Sequence, residues 1–532
     1  MDRIFTELQS FPNHVSHGAL QFILVFFVPG LRRILLLSNF FMKKSFRFAS
    51  DAQHIIMTHT SHPFFHFTPP QYWLNDPNGM VFFDGEWHLF YQHNPFGMDW
   101  GHMSWGHAIS RDLVHWEHLP TALPEQPEFM IFSGSAVVDW ANTSGLGDGI
   151  IPPLIAAYTA HGTVEQAQHI AFSTDRGRTW MDYAANPVIA LAQKDFRDPK
   201  IFWHAPTQHW VMAVALPLQK QVRFYGSPDL RAWILLSDFG PSGAADGAWE
   251  CPDFFPLHVD GDDEQIKWVL KVDNGLSTGS SSGGQYFIGD FDGSTFACDD
   301  PPERVRPLDF GADFYAAQSW SDAPDNRCVW LAWMSHWAYA AKTPAAGWRG
   351  MMTLPREVAL RTFAEGLHLV QQPARELQAL RGEHYCIANV STAEANVWLT
   401  AHGVSGAALE IDIAFAPSSH ASGEFGVRVR VGADEETVIS YARREQQLSV
   451  DRSRAGDSSF SPGFDARHAT TVPLRDGTVK LHVFVDACSV EVFADDGRVV
   501  MSELIFPKDD SNGVIVFGDA RVQSLDIWLL SL

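Results

Sequence analysis

One short pattern returns four times in this chain, and it constrains the fold more than any other feature. Ser110-Arg111-Asp112-Leu113 leads to Trp116, Ser173-Thr174-Asp175-Arg176 to Trp180, Ser227-Pro228-Asp229-Leu230 to Trp233, and Gly289-Asp290-Phe291-Asp292-Gly293 to Phe296. Asp112, Asp175, Asp229 and Asp292 succeed one another at intervals of 63, 54 and 63 residues. Each copy comes after a strand-like run, such as His169-Ile170-Ala171-Phe172, and supplies a polar turn that ends on an aromatic. A hairpin recurring at this interval leaves room for about four strands per unit, which suits a β-propeller blade better than a helical solenoid. Five such units fit between Phe65 and Val370. The repetition also argues against catalysis by these Ser and Asp residues, because an active site needs one copy. They are expected to form turns that bond their own hairpin backbone.

Beyond Val370 the pattern changes. Gln371 to Leu380 reads as a short helix or linker, after which Leu409, Ile411, Ile413 and Phe415 alternate with polar or small residues. Leu481, Val483 and Val485 do the same, then Val490 and Val492, with Asp496-Gly497 as a hairpin turn. Alternation of this kind gives each sheet one buried face, and two such sheets pack as a sandwich. The expected fold class is all-β: a five-bladed β-propeller over 61–370, a linker over 371–384 and a C-terminal β-sandwich over 385–532. Residues 1–60 stand apart. Their apolar runs, Ala19 to Val28 and Ile34 to Phe41, are too short to span a bilayer. The segment reads as a signal or as a start codon chosen too far upstream. It leans toward an extracellular or periplasmic location and leaves the cytoplasm open.

Charge and cysteine usage narrow the partners. Lys and Arg number 38 against 62 Asp and Glu, a formal charge of −24, which argues against a polyanion such as nucleic acid as the natural ligand. The 19 Trp lean toward carbohydrate, since indole faces stack on sugar C–H faces. The five cysteines are scattered without a CxxC pair, so neither a disulfide framework nor a zinc site is indicated, and buried free thiols are expected. Nothing in the sequence calls for a metal or an organic cofactor, and oligomeric state is silent.

Three acidic residues sit in unusual local settings. Asp76 lies in Trp73-Leu74-Asn75-Asp76-Pro77-Asn78-Gly79, a composition that favours a tight turn, with apolar segments on both sides to bury its base. Held this way, a carboxylate suits a nucleophile. Asp198 follows Arg197 at the entrance of Ile201-Phe202-Trp203, where the neighbouring guanidinium should keep it ionised. Glu250 stands in Trp249-Glu250-Cys251-Pro252-Asp253-Phe254, where desolvation should raise its pKa as a general acid requires. Each has an ordinary structural explanation, as an Asx turn, a surface ion pair and a strand end. Together, near successive blade starts, they point to one site.

These residues resemble glycoside hydrolase family 32, the invertase, levanase and inulinase group. The likeness rests on Trp73 to Gly79, Arg197-Asp198-Pro199 and Glu250-Cys251-Pro252. It continues through Phe90 to Pro95, Trp105 to Ala108, Phe132 to Ser135, Asp313 to Ala316, Trp333 to Trp337 and Leu354 to Glu357. Ser489 to Phe493 and Ile505-Phe506-Pro507 resemble that family's C-terminal sandwich. Leu74 departs from a common Met, and His336 from a common Asn.

The resemblance implies a β-fructofuranosidase acting on sucrose, inulin or levan with retention of configuration. It assigns Asp76 as nucleophile, Glu250 as acid/base and Asp198 as the stabiliser that holds sugar hydroxyls. Asn75, Gln92, Trp100, Phe132, Ser133 and Arg197 would line the fructose pocket. Two alternatives remain open on the sequence: a fructosyltransferase using the same carboxylates, and a sugar-binding propeller without catalysis.

Overall fold

The computed structural model describes residues 62–275, 283–417 and 423–532. The expected N-terminal extension, residues 1–60, lies outside the described residues. From Tyr72 onward the regular secondary structure of the described chain is almost entirely β-strand, beginning with five blades in which the chain runs from the inside of the ring outward.

The first blade orders Tyr72–Phe83, Glu86–Asn94, Ser104–Ser110 and Trp116–Leu123. The second, third and fourth begin with Phe129–Val138, Arg197–His204 and Ala248–Val259. The fifth runs Tyr315–Ser319, Cys328–Trp333, Arg356–Phe363 and Gly366–Pro373. The innermost strands touch in ring order, and the first meets the fifth. A short strand late in the chain, Trp348–Arg349, pairs in parallel with Tyr72 and Trp73 and so extends the first blade.

The recurring signature falls at the third-to-fourth-strand turn of each of the first four blades, and its acids bond as turn formers. Asp112 Oδ1 accepts from the Val114 and His115 amides at 3.0 and 2.8 Å. Asp229 Oδ1 accepts from Arg231 and Ala232 at 3.0 and 2.9 Å, and Asp292 Oδ1 from Ser294 and Thr295 at 2.8 and 2.7 Å. Trp180 and Trp233 each donate their indole N–H to a carbonyl three residues back, at 3.0 and 2.9 Å. The aromatic thus locks the turn that precedes it.

Between Pro373 and the second domain lies a single 3-10 segment, Arg375–Leu380. Two sheets then pack face to face over a core that includes Leu409, Ile411, Ile413, Phe415, Val427, Val483, Val490 and Val492. The alternating residues line this core, and intervening ones such as Phe484 and Phe493 are buried too, on the sheet's other face against Phe65, Val114 and Leu354 of the propeller. One element was not anticipated, the helix Thr392–Ala401. Its N-terminus is closed by a capping box, in which Ser391 Oγ accepts from the Glu394 amide and the Glu394 carboxylate accepts from the Ser391 amide.

Ion pairs bind the propeller to the sandwich. Arg356, fully buried on the fifth blade, donates to Asp309 at 3.1 Å and to Glu491 at 2.6 Å. Arg452 reaches Asp313 at 2.6 Å and Glu503 at 3.0 Å. His66 bridges Asp486 and Glu491 at 2.7 and 2.9 Å, and these two acids overcome burial to raise its pKa to about 9. Several motifs singled out in the sequence, Asp313, Arg356 and Glu491 among them, therefore hold two domains together.

Candidate active site

The segment around Asp76 is not the tight turn its composition suggests. Residues Tyr72–Phe83 form the innermost strand of the first blade, and its pairing with Glu86–Asn94 slips twice, between Leu74 and Pro77 and between Asn78 and Val81. These irregularities accommodate Pro77, and Gly79 with φ +53°. A Cβ on Gly79 would lie 2.7 Å from both Phe90 and Trp105, so only glycine fits the second slip. The bulged strand turns the Asp76 carboxylate toward the ring axis, where Ser133 donates to Oδ2 at 2.6 Å and Asn75 to Oδ1 at 3.0 Å. Asn75 is itself fixed by the Trp73 indole N–H at 2.6 Å. Below, Asn78 donates to the Asp76 carbonyl at 3.2 Å and accepts from the Gly134 amide at 3.3 Å, which ties the first blade to the second. Burial pushes the Asp76 carboxyl above its usual range, the Ser133 and Asn75 donors pull it back, and the charge of Glu250 adds to the push.

Asp198, second residue of the third blade's innermost strand, lies in the left-handed region, φ +67°, a conformation that aspartate tolerates better than most residues. The Cys251 amide donates to its Oδ2 at 2.8 Å, and its own amide donates to Thr159 Oγ at 3.0 Å. The ionised state expected from Arg197 does not follow. Burial, with Glu250 and Asp76 nearby, outweighs the guanidinium and raises the Asp198 pKa to about 7.

Arg197 acts on Asp198 only through its charge, because its hydrogen bonds go elsewhere. Its Nε and Nη2 donate to Glu250 Oε1 at 3.2 and 2.9 Å, and its Nη1 to Asp195 at 3.0 Å and Gln166 at 3.2 Å. No hydrogen bond joins it to Asp198. The desolvated setting expected for Glu250 is likewise absent: the side chain is 24% exposed and accepts from Arg197 and, through Oε2, from the Tyr315 hydroxyl. A Cβ on Gly275 would lie 2.4 Å from Glu250 Oε2 and 2.7 Å from the Tyr315 oxygen, so this glycine makes room for the contact.

The remaining candidates surround the same space. Gln92 donates to the Ile131 carbonyl at 3.1 Å. Trp100, 45% exposed, meets Phe132 edge-on at 5.8 Å, and Phe132 stacks flat on His161 at 4.2 Å. All nine candidates line one cavity of about 240 Å³ at the starts of the innermost strands. Three further residues join them: Cys251, Tyr315 and Trp337. The Cys251 thiol lies 3.6 Å from Asp76 Oδ2. Its carbonyl accepts from Lys271 at 3.1 Å, and Lys271 also pairs with the buried Asp273. Trp337 stacks on Trp73 at 6.3 Å and meets Tyr315 edge-on at the same distance. The sequence offered a signal for Tyr315 and Trp337, since both stand in motifs already singled out.

All five cysteines are free; Cys251 and Cys488 are buried, but Cys386 is exposed, contrary to the expectation of uniformly buried thiols. Among the described residues one trio, His384, Cys386 and Asp526, brings metal-ligating atoms within 4.8 Å of one another. It lies on the sandwich, and His384 there already bonds Asp526 at 2.9 Å. No helix among the described residues is long and apolar enough to cross a membrane.

With three carboxylates, a guanidinium, a phenol and exposed aromatic faces around a small cavity, the site can transfer protons, attack a carbon centre and stack a sugar ring. Comparisons with known proteins point the same way. The profile of the glycosyl hydrolases family 32 N-terminal domain matches residues 66–373, and that of the glycosyl hydrolases family 32 C terminal matches residues 376–529. The chain is 47% identical over 476 residues to a levanase of Bacillus subtilis (strain 168), covering 87% of this chain and 70% of the levanase. To an extracellular exo-inulinase of Aspergillus awamori it is 38% identical over 490 residues, covering 84% and 90%. The crystal structure of an exo-inulinase from that organism superposes with a TM-score of 0.81 at 35% identity, covering 89% of this chain and 99% of the other. A fructofuranosidase variant of Schwanniomyces occidentalis, complexed with fructosylnystose, gives 0.78 at 29%, covering 90% and 99%.

Proposed function

The chain belongs to glycosyl hydrolases family 32 and is a glycosidase of the levanase and exo-inulinase type, and from that premise we propose that it removes terminal β-D-fructofuranosyl units from fructans and sucrose with retention of configuration. One observation carries the reading: Asp76, Asp198 and Glu250, each from the start of a different innermost strand, converge on one cavity lined by Trp100 and Phe132. Two carboxyl groups flanking a scissile bond are the common requirement of glycoside hydrolysis.

In the first step Asp76 attacks the anomeric carbon of the terminal fructosyl unit. Glu250 transfers its proton to the glycosidic oxygen, the bond to the leaving sugar breaks, and a fructosyl ester forms on Asp76. Glu250, now ionised, takes a proton from water, whose oxygen attacks the same carbon and releases fructose with Asp76 regenerated. Arg197 and Tyr315 position Glu250 for both steps, since both bond its carboxylate. To Asp198, next in sequence to the guanidinium yet not bonded to it, we assign the holding of sugar hydroxyls, together with Asn75 and Gln92, which line the same cavity. Levan is the polymer we expect to be cleaved most readily, supported by the 47% identity to a levanase.

The test is proton NMR of the first fructose released from sucrose, levan and inulin. Initial release of the β-anomer, and fructose as the sole product from both polymers, are expected. Initial α-anomer overturns the two-step mechanism, and oligosaccharides from the polymers overturn terminal action.

A further inference from the structure

A second and larger cavity, about 820 Å³, opens at the opposite ends of the same innermost strands. Where the catalytic cavity uses Asp198 and Glu250, this one uses Trp203 and Phe255, further along the same two strands. Five residues of strand separate Asp198 from Trp203, roughly 16 Å at about 3.3 Å per residue. Between the two cavities sits a polar plug. Lys200, with its side chain 4% exposed, donates to Asp253 at 2.8 Å and to the Ser319 carbonyl at 2.9 Å.

The walls of this cavity are aromatic, and two of its indoles are left in water. Trp140 is 60% exposed and Trp203 40%. Leaving so much apolar ring uncovered forgoes stabilisation that burial would give, so a fixed, exposed pair of this kind marks a binding surface. Both rings are braced by neighbours. Trp140 donates its N–H to Asp322 at 2.8 Å and meets Phe83 at 5.7 Å. Trp203 stands edge-on to Trp210 at 5.2 Å, and Trp210 is anchored by its N–H to Thr143 at 2.8 Å. Rings immobilised before the ligand arrives lose little entropy on binding.

We propose that this cavity is a second, non-catalytic site for a fructan chain, an inference that rests on the fructan-cleaving reading of the catalytic site. The chemistry favours a neutral polyhydroxylated chain: indole faces for C–H surfaces, with Asp322 and Asp290 supplying carboxylate oxygens at the lining. Its volume is more than three times that of the catalytic cavity, room for a run of sugar units where the other takes one. A polymer gripped here and long enough to pass round the propeller has its free ends at a raised effective concentration at the catalytic mouth, whereas sucrose is too small to gain. The site therefore acts on KM for polymers and leaves kcat alone.

The experiment uses the full chain carrying Trp140→Ala and Trp203→Ala together. KM for levan and inulin is expected to rise roughly tenfold, kcat to stay level, and sucrose kinetics to match wild type, which also reports that the fold is intact. Unchanged polymer KM with normal sucrose kinetics overturns the inference. A second measurement needs neither variant: calorimetric titration of the Asp76→Asn chain with a fructo-oligosaccharide should show two sites, and a single site overturns the proposal. A wild-type chain that cleaves no fructoside, yet is retarded by levan in a native gel through Trp140 and Trp203, overturns the catalytic reading and supports this one.

Discussion

Arg197 donates to Glu250 Oε1 through two of its nitrogens, at 3.2 and 2.9 Å, and makes no hydrogen bond to Asp198, its neighbour in the chain. The paired geometry requires a planar fork, which lysine does not have. Arg197→Lys is therefore expected to lower kcat/KM on sucrose by about 10- to 100-fold, the equivalent of one lost charge-assisted bond. Wild-type kinetics in that variant would show that a positive charge alone is enough.

Tyr315 offers a cleaner probe, because Phe keeps the ring against Trp337 and removes only the oxygen that bonds Glu250 Oε2. Tyr315→Phe should cost roughly 10-fold or more in kcat with little change in KM. An equal rise in KM would place the hydroxyl on the sugar instead.

Asp198 links activity to acid stability. Burial first, and then Glu250 and Asp76, raise its pKa to about 7 against the bonds that lower it, while in the unfolded chain it titrates near about 3.9. The folded state thus holds the proton more tightly. The resulting stabilisation is fully present below about pH 4 and is lost as pH rises through about 7. Asp273, raised to about 6 by burial ahead of its neighbours, adds in the same direction. In thermal melts, Asp198→Asn should lose less of its midpoint between pH 5 and pH 8 than wild type does, while fructoside cleavage collapses. Parallel losses in the two proteins would contradict this.

Arg356 is buried between acids of both domains, Asp309 at 3.1 Å and Glu491 at 2.6 Å. Arg356→Met leaves Asp309 without its cation and Glu491 with His66 alone, and is expected to cost about 3–5 kcal/mol, read from the denaturant midpoint. A cost under about 1 kcal/mol would mean that water or rearrangement replaces the pair.

Much of this was legible in the chain. The blade turns announced themselves because an Asx turn needs a particular residue at a fixed offset, and four repeats multiply that signal. The acids of the site were visible as carboxylates in odd company. What sequence adjacency could not show was direction. Arg197 and Asp198 are neighbours whose side chains leave the backbone toward different partners, and the left-handed turn at Asp198 helps separate them. Nor could local composition separate a turn from a bulged strand at Asp76, since both draw on Pro, Asn and Gly. The cation for Asp313 comes from Arg452, 139 positions away, a distance at which sequence gives no pairing signal. The helix at Thr392 was missed although Ser391 and Glu394 spell its cap, because the helix itself is only ten residues long.

The short strand Trp348–Arg349 pairs beside Tyr72 and Trp73, four and three residues before Asp76. The first blade's opening strand, made early on the ribosome, thus waits for a segment made 276 positions later (348 − 72) before its blade is complete. Asp76, Asp198, Glu250 and Tyr315 become one site only when that circuit closes. Turnover in this protein therefore reports closure of the propeller ring: a refolding chain should regain its strand signal well before it first releases fructose.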